Sequence, residues 1–520
     1  MIKSVTIGSF KGVGTRVTFD LKPITLLFGA NSAGKSTVLQ ALLYLHSILE
    51  HRTPATDTES LRRRGLDLGG FRNVLHKQSV ADTLVFNEEQ AISLSVTVIP
   101  DDDVKLRHLA FEGSDGLNER LVEETETLTL TVVVAWSDYL EAPFVREYAV
   151  AVNGDEVAGL RTQASGSGVE LAWHPGLDHP LFPGSGGEEL LDGDLDGRRC
   201  LAGEKQALPR WGESLHLDDL DVVLQKHGVW SAEGLRQLDA LVVGTGSCVR
   251  DELARLLHVG PLRGVPPRWV PEHSGHYWED WSTGVAAWRA LARDEKLVRR
   301  ASQALEQLGT GYGLTRVLRR TLDEDGFGWF MLHERSNEDD LEAVRRAIRA
   351  MPTTPVVSVI EVTSGLKYHP AELGVGIGQV VPVIAAANVG ELPQPDGRVT
   401  NVGLVCIEQP ELHLHPAAQT ELGDLFIRAV QPDVPERRPR QFLIETHSEH
   451  LILRLLRRIR ETTDQELPGP DVALAPDDLA IYWVEKSDGD TANRQIGVDA
   501  DGEFTDRWPR GFFGERLKEL

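Results

Sequence analysis

Gly29-Ala30-Asn31-Ser32-Ala33-Gly34-Lys35-Ser36 is the stretch from which the fold can be read. It follows Pro23-Ile24-Thr25-Leu26-Leu27-Phe28, an apolar run that predicts a buried strand. It precedes Thr37 to His51, where Val38, Leu39, Leu42, Leu43, Leu45 and Leu49 recur at helical spacing. A G-x-x-x-x-G-K-S loop between strand and helix gathers backbone N–H groups and the positive end of the helix into a nest for phosphate. Lys35 adds a point charge and the Ser36 hydroxyl offers a ligand to Mg²⁺. The expectation is a nucleoside triphosphate site built from Gly29, Asn31, Ser32, Ala33, Gly34, Lys35, Ser36 and Thr37.

Bulk properties bound the rest. At 520 residues the chain predicts several lobes, not one core. Its 41% hydrophobic and 26% charged content is that of a soluble globular protein. No apolar run approaches the roughly eighteen residues of a membrane span, and the alternating start Met1-Ile2-Lys3-Ser4-Val5-Thr6-Ile7 is not a signal-peptide core. Cys200, Cys248 and Cys406 are scattered without zinc or disulfide spacing, so a cytoplasmic setting without a membrane is expected. A net charge of −25 excludes a uniformly basic coat for nucleic acid, although a local basic groove stays open.

Along the chain, Ile2–Ile7 and Thr15–Asp20 predict short strands that open a nucleotide lobe over 1–80. From 82 to 175 the pattern has period two, as in Ile92 to Val98 and Leu128 to Val132, and Asn153-Gly154 signals a hairpin. An antiparallel β-lobe is expected there. Gly176 to Gly203 reads as a loop, and 200–350 as a mainly helical insertion, with helices at Ala286 to Leu308 and Asn337 to Ala350. No heptads predict a coiled-coil arm. Strand–helix alternation resumes over 355–520 and completes the split nucleotide-binding domain.

A phosphate loop calls for a carboxylate to hold magnesium. Val402 to Glu408 is an apolar strand ending in an acid, followed by Gln409-Pro410-Glu411-Leu412-His413-Leu414-His415-Pro416. Gln441 to Ile444 is a further strand, delivering Glu445-Thr446-His447-Ser448. Parallel strands end at one edge, so Glu408 and His447 are expected to face the phosphates.

These motifs resemble the ABC-type ATPases, in the branch of short SMC-like and OLD-like relatives that includes stand-alone ATPase subunits of bacterial anti-phage systems such as Septu and certain retrons. The resemblance implies an α/β ABC-type P-loop head with an antiparallel β-lobe and a helical insertion. It matches the Walker A motif to Gly29–Ser36, the Walker B strand to Leu404–Glu408, the D-loop to His413–Pro416 and the switch histidine to His447. Val259-Gly260-Pro261-Leu262-Arg263 and Trp508-Pro509-Arg510-Gly511-Phe512-Phe513 also resemble segments of this branch. The signature turn falls at Val375-Gly376-Ile377-Gly378-Gln379, so Gly376, Gly378 and Gln379 are expected to touch the nucleotide of a second copy, with Gly376 where the usual serine stands. The cofactors implied are ATP and Mg²⁺, the latter on Ser36 and Glu408. The partners implied are a homodimer or higher homo-oligomer closed by ATP and a separate effector, a nuclease. Lys11 and Gln78 are further candidates near the nucleotide.

In such ATPases a glutamate follows the Walker B acid and polarises the attacking water; here Gln409 stands there. An amide positions water but accepts no proton, which removes general-base help of roughly 10²–10⁴-fold. Slow hydrolysis is expected, with Glu411 or His447 as substitute bases. Two other classes stand beside the anti-phage switch: an SMC-like ATPase of DNA repair and maintenance, and a hydrolysis-deficient scaffold locked on ATP. Alternating Glu411, His413 and His415, with His447 and His450 nearby, raise a transition-metal site, although Pro410 and Pro416 break a strand there. The segment after His447 is too short for the TOPRIM nuclease of OLD-type proteins. On a helix from Leu451 to Arg460, Arg454, Arg457, Arg458 and Arg460 share the polar side. With Arg437, Arg438 and Arg440 they form a candidate basic patch, which leaves nucleic acid open as a partner.

Overall fold

Continuous apolar strands and alternating strands sort into two different sheets. The computed structural model describes residues 1–58, 61, 66–80, 83–85, 90–110, 121–138, 140–162, 168–173, 199–200, 206–215, 236–266, 281–320, 342, 345–346, 348–351, 353–393, 399–431, 440–487 and 489–508. The first sheet runs Leu256–Val259, Leu404–Glu408, Gln441–Glu445, Ile24–Phe28, Leu479–Ser487, Asp490–Ile496. Its first five strands are parallel and the last is antiparallel. Ile24–Phe28 is buried at every residue, as a strand covered on both faces must be.

The second sheet is antiparallel, in the order Arg199–Cys200, Val169–Trp173, Asp155–Thr162, Ala142–Val152, Leu128–Ser137, Ile92–Val98, Ile2–Gly8, Val17–Asp20. Ile92–Val98 alternates strictly between buried and half-buried positions, the pattern of a sheet with one face on the core. Here the structure differs from the sequence reading. Ile2–Gly8 and Val17–Asp20 join this sheet, with Val5 opposite Val96 and Phe19, and not the parallel sheet of the nucleotide lobe. Their half-apolar alternation suits a one-sided sheet and would leave polar residues buried in the parallel one.

The helix Lys35–His51 fills the space between the sheets, which is why its apolar positions run almost all round and it is buried for most of its length. Val38, Leu42 and Leu45 share one cluster with Leu27 and with Val96, Leu130 and Val150 of the antiparallel sheet. The opposite face of the parallel sheet, with Ile24, Leu26 and Phe28, packs against the helices Val375–Asn388, Pro416–Val430 and Glu449–Thr463.

Within 200–350 the structure holds helices at Thr245–Ala254, Val285–Arg293 and Glu295–Gln307. It also holds two strands that helical periodicity hid. Leu256–Val259 is the edge of the parallel sheet beside Leu404–Glu408. Tyr312–Arg319 pairs with Thr354–Glu361, which pairs with Lys367–Tyr368. Four residues are too few to show a period, so Leu256–Val259 reads equally as the end of the preceding helix. Most of the expected helix from 337, and most of the loop expected over 176–203, lie outside the described residues.

Candidate functional site

Ile24–Phe28 and the helix Lys35–His51 are joined by a loop whose shape depends on two glycines. Gly29 has φ 148° and Gly34 φ 104°. A Cβ at Gly29 would collide with the Val484 carbonyl, and one at Gly34 would stand 2.7 Å from Thr491 Oγ1. The loop is thus pressed against the strands Leu479–Ser487 and Asp490–Ile496. Ala30, Asn31 and Ser32 project to solvent, Ala33 is buried beneath them, and no side chain caps the helix N-terminus. Beside the loop lies a cavity of about 220 Å³, lined among others by Ser32, Gly34, Lys35, Ser36, Thr37 and Glu445.

Lys35 is 3% exposed and donates to the carbonyls of Gly29 (3.1 Å) and Ala30 (2.9 Å), with Glu445 Oε1 at 3.6 Å. Burial lowers its pKa, and the Glu445 carboxylate opposes the shift. Ser36 Oγ donates to Glu445 Oε2 at 2.5 Å. The carboxylate seated on the Ser36 hydroxyl is therefore Glu445, a residue to which the sequence reading gave no role. Burial raises its pKa, against Ser36 and Lys35, with Glu408 adding to the rise. Glu408 and Glu445 are register partners on neighbouring parallel strands. Glu408, expected on the metal, has Oε1 held 2.9 Å from His258 Nε2, which the strand Leu256–Val259 brings alongside. A signal for Glu445 does exist in the sequence: Leu404–Glu408 and Gln441–Glu445 are both five-residue strands closing on glutamate.

Gln409 follows Glu408 in a left-handed conformation, φ 46°, with its N–H donating to the Glu445 carbonyl at 2.7 Å. Arg263, 3% exposed, fixes this turn: its Nη2 donates to the carbonyls of Glu408 and of Gln409, the latter at 3.0 Å. Burial lowers its pKa to about 10, against the acids Glu411 and Glu408. Glu411, expected as a substitute base, is 9% exposed; its two oxygens accept from the Thr446 hydroxyl (2.8 Å) and the His447 N–H (2.6 Å). Burial raises its pKa against those hydrogen bonds. It ties the segment after Leu404–Glu408 to the turn after Gln441–Glu445. His447 is half-buried, with Nε2 unpartnered among the described residues. Burial and then Lys35 lower the pKa of its imidazole. A neutral ring beside Lys35, with an orphaned nitrogen, fits a group that enters from outside.

The glycines of Val375–Asn388 stand at its N-terminus as expected, with Val375 61% exposed. A Cβ at Gly376 would lie 2.8 Å from the His413 carbonyl, so this position packs on the turn before Pro416–Val430. Gly378 is buried against Val265. Gln379, the third candidate of this turn, is buried. It is 8% exposed, its Oε1 accepts from the Arg263 N–H (3.1 Å), and its Nε2 donates to the Arg263 carbonyl (2.6 Å). A buried amide must have its hydrogen bonds met nearby, and here Arg263 meets them.

Other candidates fall further out. Lys11 Nζ donates to Gln40 Oε1 at 2.5 Å, and Gln40 lines the cavity with Gly12 and Lys486. Gln78 lies in the short strand Gln78–Val80; its side chain is outside the described residues. Trp508 is described but 509–520 are not. His413 and His415 are exposed; His413 has φ 63°, and His415 caps Pro416–Val430 through Nδ1. Among the described residues no three His, Cys, Asp or Glu side chains are grouped to hold a metal ion, and no helix is long and apolar enough to cross a membrane.

The expected basic patch is largely neutralised within the chain. Arg454 pairs with Glu421 and Asp424, Arg457 with Glu461, Arg458 with Asp424 and Glu461, and Arg460 with Glu503. Arg458 is buried, not outward as the helical wheel implied, because Asp424 on the packed helix Pro416–Val430 draws it in. Arg440 is buried and donates to the Ala387 and Val389 carbonyls; 437 and 438 lie outside the described residues. A second cavity, about 310 Å³, lies by Arg440 at the opposite end of the strands from the loop, and there Arg428 is held by Asp471 at 2.6 Å.

Comparisons with known proteins bear on both halves of this site. Residues 368–452 match the family described as "AAA ATPase domain". Residues 24–129 match "AAA domain, putative AbiEii toxin, Type IV TA system". Residues 474–520 match "Protein of unknown function (DUF3696)". No curated protein matches the chain. Solved structures similar to it include an SmcHead bound to the C-winged helix domain of ScpA, at 10% identity and TM-score 0.41, covering 96% of this chain and 98% of that one. A Smc head with extended coiled coil bound to the C-terminal domain of ScpA, from Pyrococcus furiosus, gives 10%, 0.39, 95% and 96%. The SMC head domain from Thermotoga maritima gives 10%, 0.35, 96% and 99%. These structural likenesses are too distant to carry function. The two AAA segments enclose the phosphate loop on one side and Glu408, Glu445 and His447 on the other. Both matches support a P-loop ATPase of AAA type.

Proposed function

We propose that this split P-loop ATPase is an ATP-operated switch that closes head-to-tail with a second copy around Mg²⁺-ATP and governs a separate effector, a nuclease, in bacterial defence against phage. The observation that carries the nucleotide reading is the meeting of Lys35, Ser36 and the strand-end carboxylate of Glu445 at one cavity. The residues fit the absent group: the loop shape excludes side chains at Gly29 and Gly34, the helix N-terminus lacks a cap, and His447 keeps an orphaned nitrogen.

In this reading Lys35 and the loop amides hold the β- and γ-phosphates, Ser36 and Glu408 hold magnesium, and His447 meets the γ-phosphate as a neutral imidazole. Magnesium, when bound, neutralises phosphate charge as bond breaking proceeds. Gln409 orients the attacking water without taking its proton, so turnover is slow. The glycine-lined start of Val375–Asn388 offers backbone N–H groups to the nucleotide of the second copy. The defence setting rests on the motif resemblance; one matched family bears the name of a toxin, in keeping with a conflict system.

Single-turnover hydrolysis of labelled ATP across a range of protein concentrations tests the proposal. A rate constant that climbs with concentration supports a composite site in a dimer. ATP retained without turnover at any concentration favours the second reading, a scaffold locked by ATP, for which Gln409 is the specific observation. No ATP binding at all would overturn both.

A further inference from the structure

We propose that Glu445 is a protein ligand of the magnesium ion that accompanies the nucleotide, a role resting on the nucleotide reading above. Three observations converge on it. Glu445 Oε2 sits 2.5 Å from Ser36 Oγ, the hydroxyl assigned to magnesium. Mg²⁺ holds its ligands octahedrally at about 2.0–2.1 Å, which places neighbouring ligand oxygens about 2.9 Å apart. The Ser36–Glu445 pair needs to open by only a few tenths of an ångström to become two adjacent corners of that octahedron.

The second observation is the backbone. Glu408 and Glu445 are register partners at the ends of parallel neighbours, so both carboxylates leave the sheet on the same face. Gln441–Glu445 lies between Leu404–Glu408 and the phosphate-loop strand, so Glu445 is the nearer of the two to Ser36. The third is how the oxygens are used. His258 occupies Oε1 of Glu408, whereas Glu445 has Ser36 on one oxygen and Lys35 at the longer distance of 3.6 Å on the other. Lys35 is the group a phosphate reclaims, and the Ser36 proton is the bond a cation replaces. Both tethers on Glu445 are those that an arriving Mg²⁺-nucleotide releases. Glu408 then acts from its His258-held position, directly or through water.

Nucleotide binding by a fluorescent non-hydrolysable ATP analogue, titrated with MgCl₂ and repeated in EDTA, tests this. A thermal melt without nucleotide shows that each variant is folded. Glu445→Gln keeps shape and a hydrogen-bond acceptor for Ser36 but loses the charge. The expected result is a rise of about 10–100-fold in the magnesium concentration needed for half-maximal binding. Affinity in EDTA stays within about twofold of wild type. Glu445→Asp, which keeps the charge one methylene short, should fall between the two and serves alone if the glutamine variant does not fold. Mn²⁺ bound with the analogue provides a direct readout, because loss of a carboxylate ligand alters its electron spin resonance spectrum. Tighter binding in EDTA with unchanged magnesium dependence would overturn the proposal and make Glu445 a plug on the empty loop. Wild-type protein that binds no analogue would instead sink the nucleotide reading itself.

Discussion

The carboxylate of Glu411 receives the backbone N–H of His447 at 2.6 Å and the Thr446 hydroxyl at 2.8 Å, joining the turns that follow two neighbouring strands. Glu411 thereby fastens the two turns together. Glu411→Ala leaves both donors buried and unmatched, at a cost of about 2–5 kcal/mol for the two together. Glu411→Gln keeps one acceptor and should cost less. Urea denaturation of both variants checks the order; a stable Glu411→Ala protein that has lost only turnover would restore Glu411 as a base.

Restoring the missing acid is a gain-of-function test. Gln409→Glu places a proton acceptor directly after Glu408 and is expected to raise single-turnover hydrolysis by roughly 10²–10⁴-fold. An unchanged rate would show that water is not attacking from the Gln409 side.

Arg263 holds the Glu408–Gln409 turn through two carbonyls and the start of the Val375–Asn388 helix through the Gln379 carbonyl at 3.2 Å. A lysine has no planar fork and cannot serve all three. Arg263→Lys should therefore lower the free energy of unfolding by about 1–3 kcal/mol. It should also slow hydrolysis more than it weakens nucleotide binding, which kinetics at saturating ATP would resolve.

Asp490 carries a pH-dependent term. Burial pushes its carboxyl up, but the Gly14 N–H at 2.6 Å and the Thr15 N–H at 2.9 Å outweigh this and hold the pKa below its ordinary value. A depressed acid contributes stability that is complete above the unfolded pKa, about 3.9, and is lost as pH falls through the folded value. The deficit of Asp490→Asn in urea midpoint should be constant from pH 5 to 8 and shrink only below about 4. A deficit that changes across pH 5–8 would point to another titrating group.

How much was legible in advance varied with how local the signal was. The loop at Gly29–Ser36, the strands that lead to Glu408 and to Glu445, and the glycine-rich turn at Val375–Gln379 that enters a helix are each written in a few consecutive residues. Their convergence follows from parallel pairing. Glu445 went without a role because its neighbour His447 carried the more specific motif. The arginines of Glu449–Thr463 looked free because the acid that buries Arg458 is Asp424, on another helix. Membership of Ile2–Gly8 in the antiparallel sheet was likewise a matter of distant partners: alternation marks a one-sided strand but does not say which sheet will receive it.

The floor of the phosphate loop has a consequence for how the protein is made. Gly29 and Gly34 rest on Val484 and Thr491, and the strand between them and Glu408 begins with Gln441, whose amide is bonded to both backbone groups of Ile2. A ribosome delivers the loop well before its floor. At about 5–20 residues per second, the loop waits on the order of half a minute or more for the strands that shape it. Until then Ile24–Phe28 has neither parallel neighbour. Chains that stop before Gln441 should therefore leave the loop without its floor.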